Sequence, residues 1–150
     1  MGRLGQSVLA LAIALGAAGS AGALTGCDRT KDAKGEHADD IPVMSIDDLA
    51  VRIASGTCRA VDANGNQLRK DVGVIPGAVL LTDYEAYGTS ELPEDKTTPL
   101  VFYCANEQCD ASHIAARRAK KAGWTRVSVL SAGILGWAKA GRDVEKPKLL

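Results

Sequence analysis

Two cysteines five residues apart give the sequence its clearest reactive chemistry. Cys104 directly follows the apolar run LVFY, and Cys109 lies in the polar segment between this run and a predicted helix. A thiolate is a nucleophile, and backbone amides at a helix N-terminus stabilise it and so lower the pKa of the thiol. We therefore expect Cys104 to act as a nucleophile whose pKa is lowered by its loop; the alternative is a buried structural thiol at the end of a strand.

The elements around Cys104 indicate a parallel α/β unit. Leu100–Tyr103 and Val127–Leu130 are short apolar runs that predict neighbouring strands covered on both faces. The segment between them predicts a helix that ends near Gly123. Its apolar residues recur at helical spacing and are Ala111, Ile114, Ala115, Ala119 and Ala122. Ligands of such folds bind beyond the carboxyl ends of the strands, which is the position of Cys104.

The remainder of the predicted domain, residues 41–150, contains both types of element. Ser45 and Asp48 have the S-x-x-D spacing of a capping box ahead of an amphipathic helix. A short apolar segment lies around Arg59–Asp62, and the last part of the run from Val74 to Leu81 predicts another strand. The stretch between these two segments is rich in turn residues, which are Asn64, Gly65 and Asn66.

The order and spacing of several short motifs resemble a rhodanese domain. These motifs are Val61-Asp62, GVIPGA from Gly73 to Ala78, LVFYC from Leu100 to Cys104, Ser112 with Ala115-Ala116, Val129-Leu130, Gly133, Gly136-Trp137 and Gly141. The resemblance implies a three-layer α/β fold with a central five-stranded parallel sheet flanked by helices. It also implies a sulfurtransferase in which Cys104 carries a persulfide, receiving sulfane sulfur from a small donor and passing it to a thiol or cyanide.

The loop after Cys104 departs from the usual rhodanese pattern, in which a glycine and a basic residue precede a serine or threonine. The loop residues here are Ala105, Asn106, Glu107, Gln108, Cys109, Asp110, Ala111 and Ser112. The carboxylates of Glu107 and Asp110 stand in place of the positive charge that is usual in this loop. We therefore expect anionic donors such as thiosulfate to be repelled. The arginine of the Cys-x5-Arg phosphatase pattern is missing, which argues against phosphoryl chemistry. Asp110 is also placed to cap the following helix.

The other candidate site residues have open interpretations. Cys109 is either a resolving thiol that attacks a persulfide or sulfenate on Cys104, or a residue that fills a small space in the loop. From its position in the family, Asp62 is expected to orient neighbouring loops. His113 is either a proton donor or anion contact, or a surface or packing residue, because a helix N-terminus disfavours imidazolium.

Two other functions are consistent with the same residues. The first is a thiol redox or persulfide-sensing module built on Cys104 and Cys109. The second is a catalytically silent rhodanese domain that serves only to bind a partner. The sequence alone leaves all three functions open.

Residues 1–26 have the layout of a secretory signal peptide, with Arg3 ahead of an uninterrupted apolar run and then small residues. The segment from Leu24 to Cys27, LTGC, resembles the lipobox of bacterial lipoproteins, whose cysteine is acylated and becomes the mature N-terminus. We expect an exported protein held through lipid on Cys27 to the periplasmic side of a membrane. Asp28 favours the inner membrane by analogy. The alternatives are a retained transmembrane helix and a chance cysteine in an ordinary signal peptide.

The charge and composition of the chain predict a tether and argue against several kinds of binding partner. Residues 27–40 predict a charged flexible tether, since they contain no large apolar side chain. The chain has 18 basic and 18 acidic residues, so it offers no overall field that would attract nucleic acid. Its cysteines and histidines lack the spacing of a zinc site. We therefore expect a monomer with no metal, no cofactor and no nucleic-acid partner.

Overall fold

The computed structural model describes residues 41–147. The predicted signal peptide, the lipidation site Cys27 and the predicted tether lie outside these residues. Within the described part of the chain, no helix combines the length and the apolar character needed to cross a membrane.

Four parallel strands form the sheet of the described residues. They are β1 (Arg59–Asp62), β2 (Val79–Leu80), β3 (Leu100–Tyr103) and β4 (Val127–Leu130), and their order across the sheet is β2-β1-β3-β4. β3 pairs along its whole length with both neighbours and is buried throughout. The continuous apolar run therefore forms a central strand covered on both faces, as predicted.

Four helices accompany the strands. They are α1 (Ile46–Ala54), α2 (Asn66–Asp71), α3 (Ala111–Lys121) and α4 (Gly133–Lys139), and a short 3₁₀ turn spans Thr89–Glu91. The Ser45 hydroxyl caps α1 by accepting a hydrogen bond from the Asp48 amide at 3.1 Å, which confirms the predicted cap. α2 lies in the stretch where the sequence predicted only turns.

The sheet separates two buried apolar clusters, because successive side chains of a strand point to opposite faces. The cluster on the α3 face includes Val61, Phe102, Ala115, Ala116, Ala119 and Val129. The cluster on the face covered by α1 and α4 includes Leu49, Ala60, Val101, Leu130, Ile134 and Trp137. A helix layer on each side of one parallel sheet is the predicted three-layer α/β fold.

The expected fifth strand is reduced to one residue pair. Val43 forms an isolated parallel bridge with Val129 at the free edge of β4. The Met44 amide donates to the Val129 carbonyl at 2.8 Å, and the Val129 amide donates to the Pro42 carbonyl at 2.9 Å. A longer strand is prevented because Pro42 has no N–H to donate and Ser45 already caps α1. The sheet of the described residues therefore has four strands instead of five.

Candidate active site

Cys104 lies at the carboxyl end of β3, and only 1% of the residue is exposed. Its Sγ atom is 2.9 Å from the carbonyl oxygen of Cys109 and 3.4 Å from the hydroxyl oxygen of Ser112. The segment between them therefore curls over the sulfur and returns to the end of β3. The start of α3 is thereby placed directly beside the thiol.

Burial and the loop together set the protonation of Cys104. Burial raises the pKa of the thiol, the Cys109 thiol raises it further, and the hydroxyl and amide of Ser112 lower it without cancelling the increase. The lowered pKa predicted from the sequence is therefore wrong. The physical reason is that the sulfur is desolvated and faces a carbonyl oxygen, which favours a thiol that can donate to it.

The first residues of the loop are held by the N-terminus of α4. The amides of Ile134 and Leu135 donate hydrogen bonds to the carbonyl oxygens of Cys104 at 2.9 Å and Ala105 at 3.1 Å. Gly133 has a φ of +61°, and a Cβ atom at this position would overlap the carbonyl group of Ala105. A glycine is required here because the loop leaves β3 in close contact with this backbone.

The middle of the loop turns back on itself and exposes its charges. The Cys109 amide donates to the Asn106 carbonyl at 3.1 Å, and the Gln108 amide donates to the Asn106 side-chain oxygen at 3.0 Å. Glu107, Gln108 and Asp110 are exposed. Asp110 occupies the position before α3, but its side chain makes no capping hydrogen bond. The predicted cap is therefore not formed, and the Asp110 carboxylate stands free of the helix amides.

A cavity of about 480 Å³ opens beyond the carboxyl ends of β1 and β2, on the side of the loop where Cys109 lies. Its lining includes Asn64, Asp83, Tyr84, Cys109, Asp110 and Ala111. Cys104 is not part of this lining, because the loop covers its sulfur. The structure thus places Cys109 at the cavity wall and Cys104 beneath the loop.

A buried ion pair supports the cavity wall from behind. The Asp62 carboxylate accepts hydrogen bonds from Nε of Arg69 at 3.1 Å and from the Asn64 amide at 2.7 Å. Nη2 of Arg69 also donates to the carbonyl oxygen of Leu81 at 2.9 Å. Asp62 and Arg69 therefore position the segments that follow β1 and β2. Sequence reasoning missed Arg69, for which the only signal was a basic residue in a turn-rich stretch.

His113 lies in the first turn of α3. Its Nδ1 atom is buried and has no hydrogen-bond partner among the described residues. The residue before it, Ser112, is the one that contacts the thiol. No group of three or more His, Cys, Asp or Glu side chains in residues 41–147 is arranged to hold a metal ion.

The solved structures with a similar fold include the following three. A Rhodopseudomonas palustris protein described as a possible tyrosine phosphatase is 25% identical, with a TM-score of 0.57 over 70% of this chain and 85% of its own. Thiosulfate sulfurtransferase from Pseudomonas aeruginosa is 21% identical, with a TM-score of 0.59 over 72% of this chain and 21% of its own. The human single-domain sulfurtransferase is 19% identical, with a TM-score of 0.53 over 67% of this chain and 97% of its own.

The sequence comparisons give one clear assignment. A search of curated proteins finds no match. Residues 45–140 match the family described as the rhodanese-like domain. This match spans more than half of the chain and contains β1 to β4, the Cys104 loop and α4. The chain therefore belongs to the rhodanese-like domain family.

Proposed function

We propose that this rhodanese-like protein transfers sulfane sulfur through a persulfide on Cys104. The observation that carries the proposal is the enclosure of Sγ at the carboxyl end of β3, 3.4 Å from the Ser112 hydroxyl. Ligands of parallel α/β folds bind at this end of the sheet. Ser112 lowers the pKa of Cys104 against the effect of burial, so the loop retains one means of stabilising a sulfur anion.

The proposed reaction consists of two displacements at sulfur. The Cys104 sulfur first attacks the outer sulfur of a donor R–S–SH. A new S–S bond forms, the donor S–S bond breaks, and R–SH leaves with the proton that Cys104 gives up. An acceptor thiol R′–SH then attacks the outer sulfur of the Cys104 persulfide, which regenerates the Cys104 thiol and releases R′–S–SH. Cyanide in place of the thiol leaves as thiocyanate.

A change in the loop accompanies the first step of this mechanism. The Cys109 carbonyl oxygen, 2.9 Å from Sγ, favours the neutral thiol and would repel a sulfur anion. We infer that this carbonyl turns away when Cys104 ionises, which leaves the hydroxyl and amide of Ser112 to stabilise the charge. The same movement would uncover the sulfur, which the resting loop keeps buried.

Sulfur transfer is tested by comparing the wild type with Cys104→Ser, using a polysulfide donor and a thiol or cyanide acceptor. Turnover should be lost, because a serine hydroxyl is far less acidic and cannot hold a persulfide. Cys58→Ser is the matched control, since Cys58 is also buried but precedes β1 at the opposite end of the sheet. Unchanged turnover in Cys104→Ser would reject Cys104 as the nucleophile.

Membrane attachment through lipid on Cys27 is part of the proposal. The LTGC segment and the charged residues after it support an exported protein tethered on the periplasmic side, with Asp28 favouring the inner membrane. Cys27→Ser should move the protein from the membrane pellet to the soluble fraction, because the lipid would be absent. Retention in the pellet would instead favour an uncleaved helix formed by the N-terminal apolar run.

Thiol redox chemistry is a second candidate function, favoured by the contact between the Cys109 backbone and the Cys104 sulfur. Both thiols are free in the structure. A disulfide between them would form with transfer of two hydrogens to an external oxidant such as polysulfide.

The raised pKa of Cys104 favours a third candidate function, a catalytically silent binding domain. Such a domain should show neither a persulfide nor a disulfide after polysulfide treatment.

A further inference from the structure

We propose that the cavity beside Cys109 is where the small sulfur compound binds, and that it selects neutral or positively charged compounds over anions. The inference rests on the proposed sulfur transfer and adds to it the charge class of the substrate.

The two thiols differ in their access to the cavity. Cys104 is 1% exposed and does not line the cavity, whereas Cys109 is half-buried and does. A small molecule in the cavity therefore contacts the Cys109 side of the loop before it reaches Cys104. A volume of about 480 Å³ lies within the usual range of small-molecule sites.

The wall of the cavity carries negative charge. Among the described residues, those that line the cavity include the acidic residues Asp83 and Asp110 and neither lysine nor arginine. Arg69 lies behind this wall, but it is buried and paired with Asp62, so its charge is already compensated. An anion in the cavity would meet like charge without a compensating cation, whereas a cation would be attracted.

Tyr84, which also lines the cavity, lies in a negative potential. The pKa of Tyr84 is raised mainly by the neighbouring Glu85 carboxylate, then by burial and by Asp83. Negative charge disfavours the tyrosinate anion, as it would disfavour an anionic ligand. The raised pKa of Tyr84 therefore agrees with a negative potential at this side of the cavity, to which Glu85 and Asp83 contribute.

The probes for this test are two methanethiosulfonate reagents, one carrying a trimethylammonium group and the other a sulfonate group. The Cys109 thiolate attacks the sulfenyl sulfur, methanesulfinate leaves, and a mixed disulfide remains. Peptide mass spectrometry of the full chain gives the rate at Cys109 separately from the other cysteines. The ratio of the cationic to the anionic rate is divided by the ratio for free 2-mercaptoethanol, which removes the intrinsic difference between the reagents.

The normalised ratio at Cys109 should be about tenfold at low ionic strength and should fall as salt is added. It should decrease in the double variant Asp83→Asn/Asp110→Asn, in which the Glu85 carboxylate next to Tyr84 remains. Asparagine retains an oxygen that can accept the hydrogen bonds which the Glu85 and Ala86 amides donate to Asp83. Glu94→Gln is the matched control, because Glu94 is exposed ahead of β3 at the other end of the sheet and should leave the ratio unchanged.

A wild-type ratio at or below one, or an equal ratio in the double variant, overturns the inference. The singly substituted Asp83→Asn and Asp110→Asn proteins provide the same comparison if the double variant does not fold. Charge selection is measured on Cys109 and sulfur transfer on Cys104, so the two fail separately. A Cys104 persulfide with no charge preference at Cys109 overturns this inference alone, whereas absence of the persulfide overturns the proposed function.

Discussion

The Cys104 thiol donates a hydrogen bond to the backbone carbonyl of Cys109, with 2.9 Å between sulfur and oxygen. The thiol of one cysteine is therefore bound to the backbone of the other. A carbonyl acceptor stabilises the protonated form of the thiol, so the resting structure protects Cys104 from reaction. Any nucleophilic step at Cys104 must first break this contact.

The ionisation of Cys104 should therefore occur at high pH. NMR titration of the ¹³Cβ resonance should give a midpoint above the ordinary value of 9.0 in the native protein. Ser112→Ala should move the midpoint higher still, because Ser112 lowers the pKa. The native protein keeps a proton that the unfolded chain loses near this pH, so the free energy of unfolding should decrease as the pH rises through 9.0. A native midpoint at or below that value would contradict the structure.

Cys109→Ala should lengthen the lifetime of a persulfide on Cys104. The reason is that alanine removes the neighbouring thiol that can attack the Cys104 persulfide. The measurement is persulfide decay by mass spectrometry at equal oxygen and thiol concentrations, with Cys58→Ala as the control for loss of a cysteine elsewhere. Equal decay in the wild type and Cys109→Ala would leave Cys109 as a residue that only fills the loop.

Arg69→Met should destabilise the fold strongly, because it leaves the buried carboxylate of Asp62 without its cation. We expect the free energy of unfolding to fall by about 3 kcal/mol or more in chemical denaturation. The control is Arg142→Met, which breaks the exposed ion pair with Asp47. This substitution should change the free energy of unfolding by less than about 1 kcal/mol. Similar effects of the two substitutions would argue that the buried pair does not support the cavity wall.

Gly133→Ala should destabilise the Cys104 loop for two reasons, a positive φ and overlap with the Ala105 carbonyl. Gly141→Ala isolates the first reason, since Gly141 has a φ of +72° and no atom within 4 Å of a Cβ. We expect Gly141→Ala to lower the free energy of unfolding by about 1 kcal/mol and Gly133→Ala to lower it by clearly more. Equal losses in denaturation experiments would show that the close approach to Ala105 is unimportant.

The sequence predicted the elements that depend on local patterns. β3 and β4 have the predicted bounds because their apolar runs are continuous, and α1 begins where Ser45 places its cap. α2 was missed because its six residues begin among turn formers, and its buried Arg69 is held by a tertiary ion pair with Asp62. A local pattern contains no information about a pair of that kind.

The candidate site was predictable in its position but not in its electrostatics. The place of Cys104 at the end of a buried strand follows from the order of the elements. Which backbone groups face its sulfur depends on how the loop folds, and that is decided partly by the contact of Gly133 with Ala105. The exposure of Cys109 to the cavity likewise depends on segments that follow β1 and β2, far away in the sequence.

The most direct test of the account is the intact mass of the purified protein after treatment with polysulfide, followed by peptide mapping of Cys104. Sulfur transfer predicts a gain of one sulfur atom on Cys104 in the wild type, no gain at this position in Cys104→Ser, and loss of the added sulfur when an acceptor thiol is supplied. A loss of two hydrogens shared between Cys104 and Cys109, or no change in mass, would contradict sulfur transfer through a Cys104 persulfide.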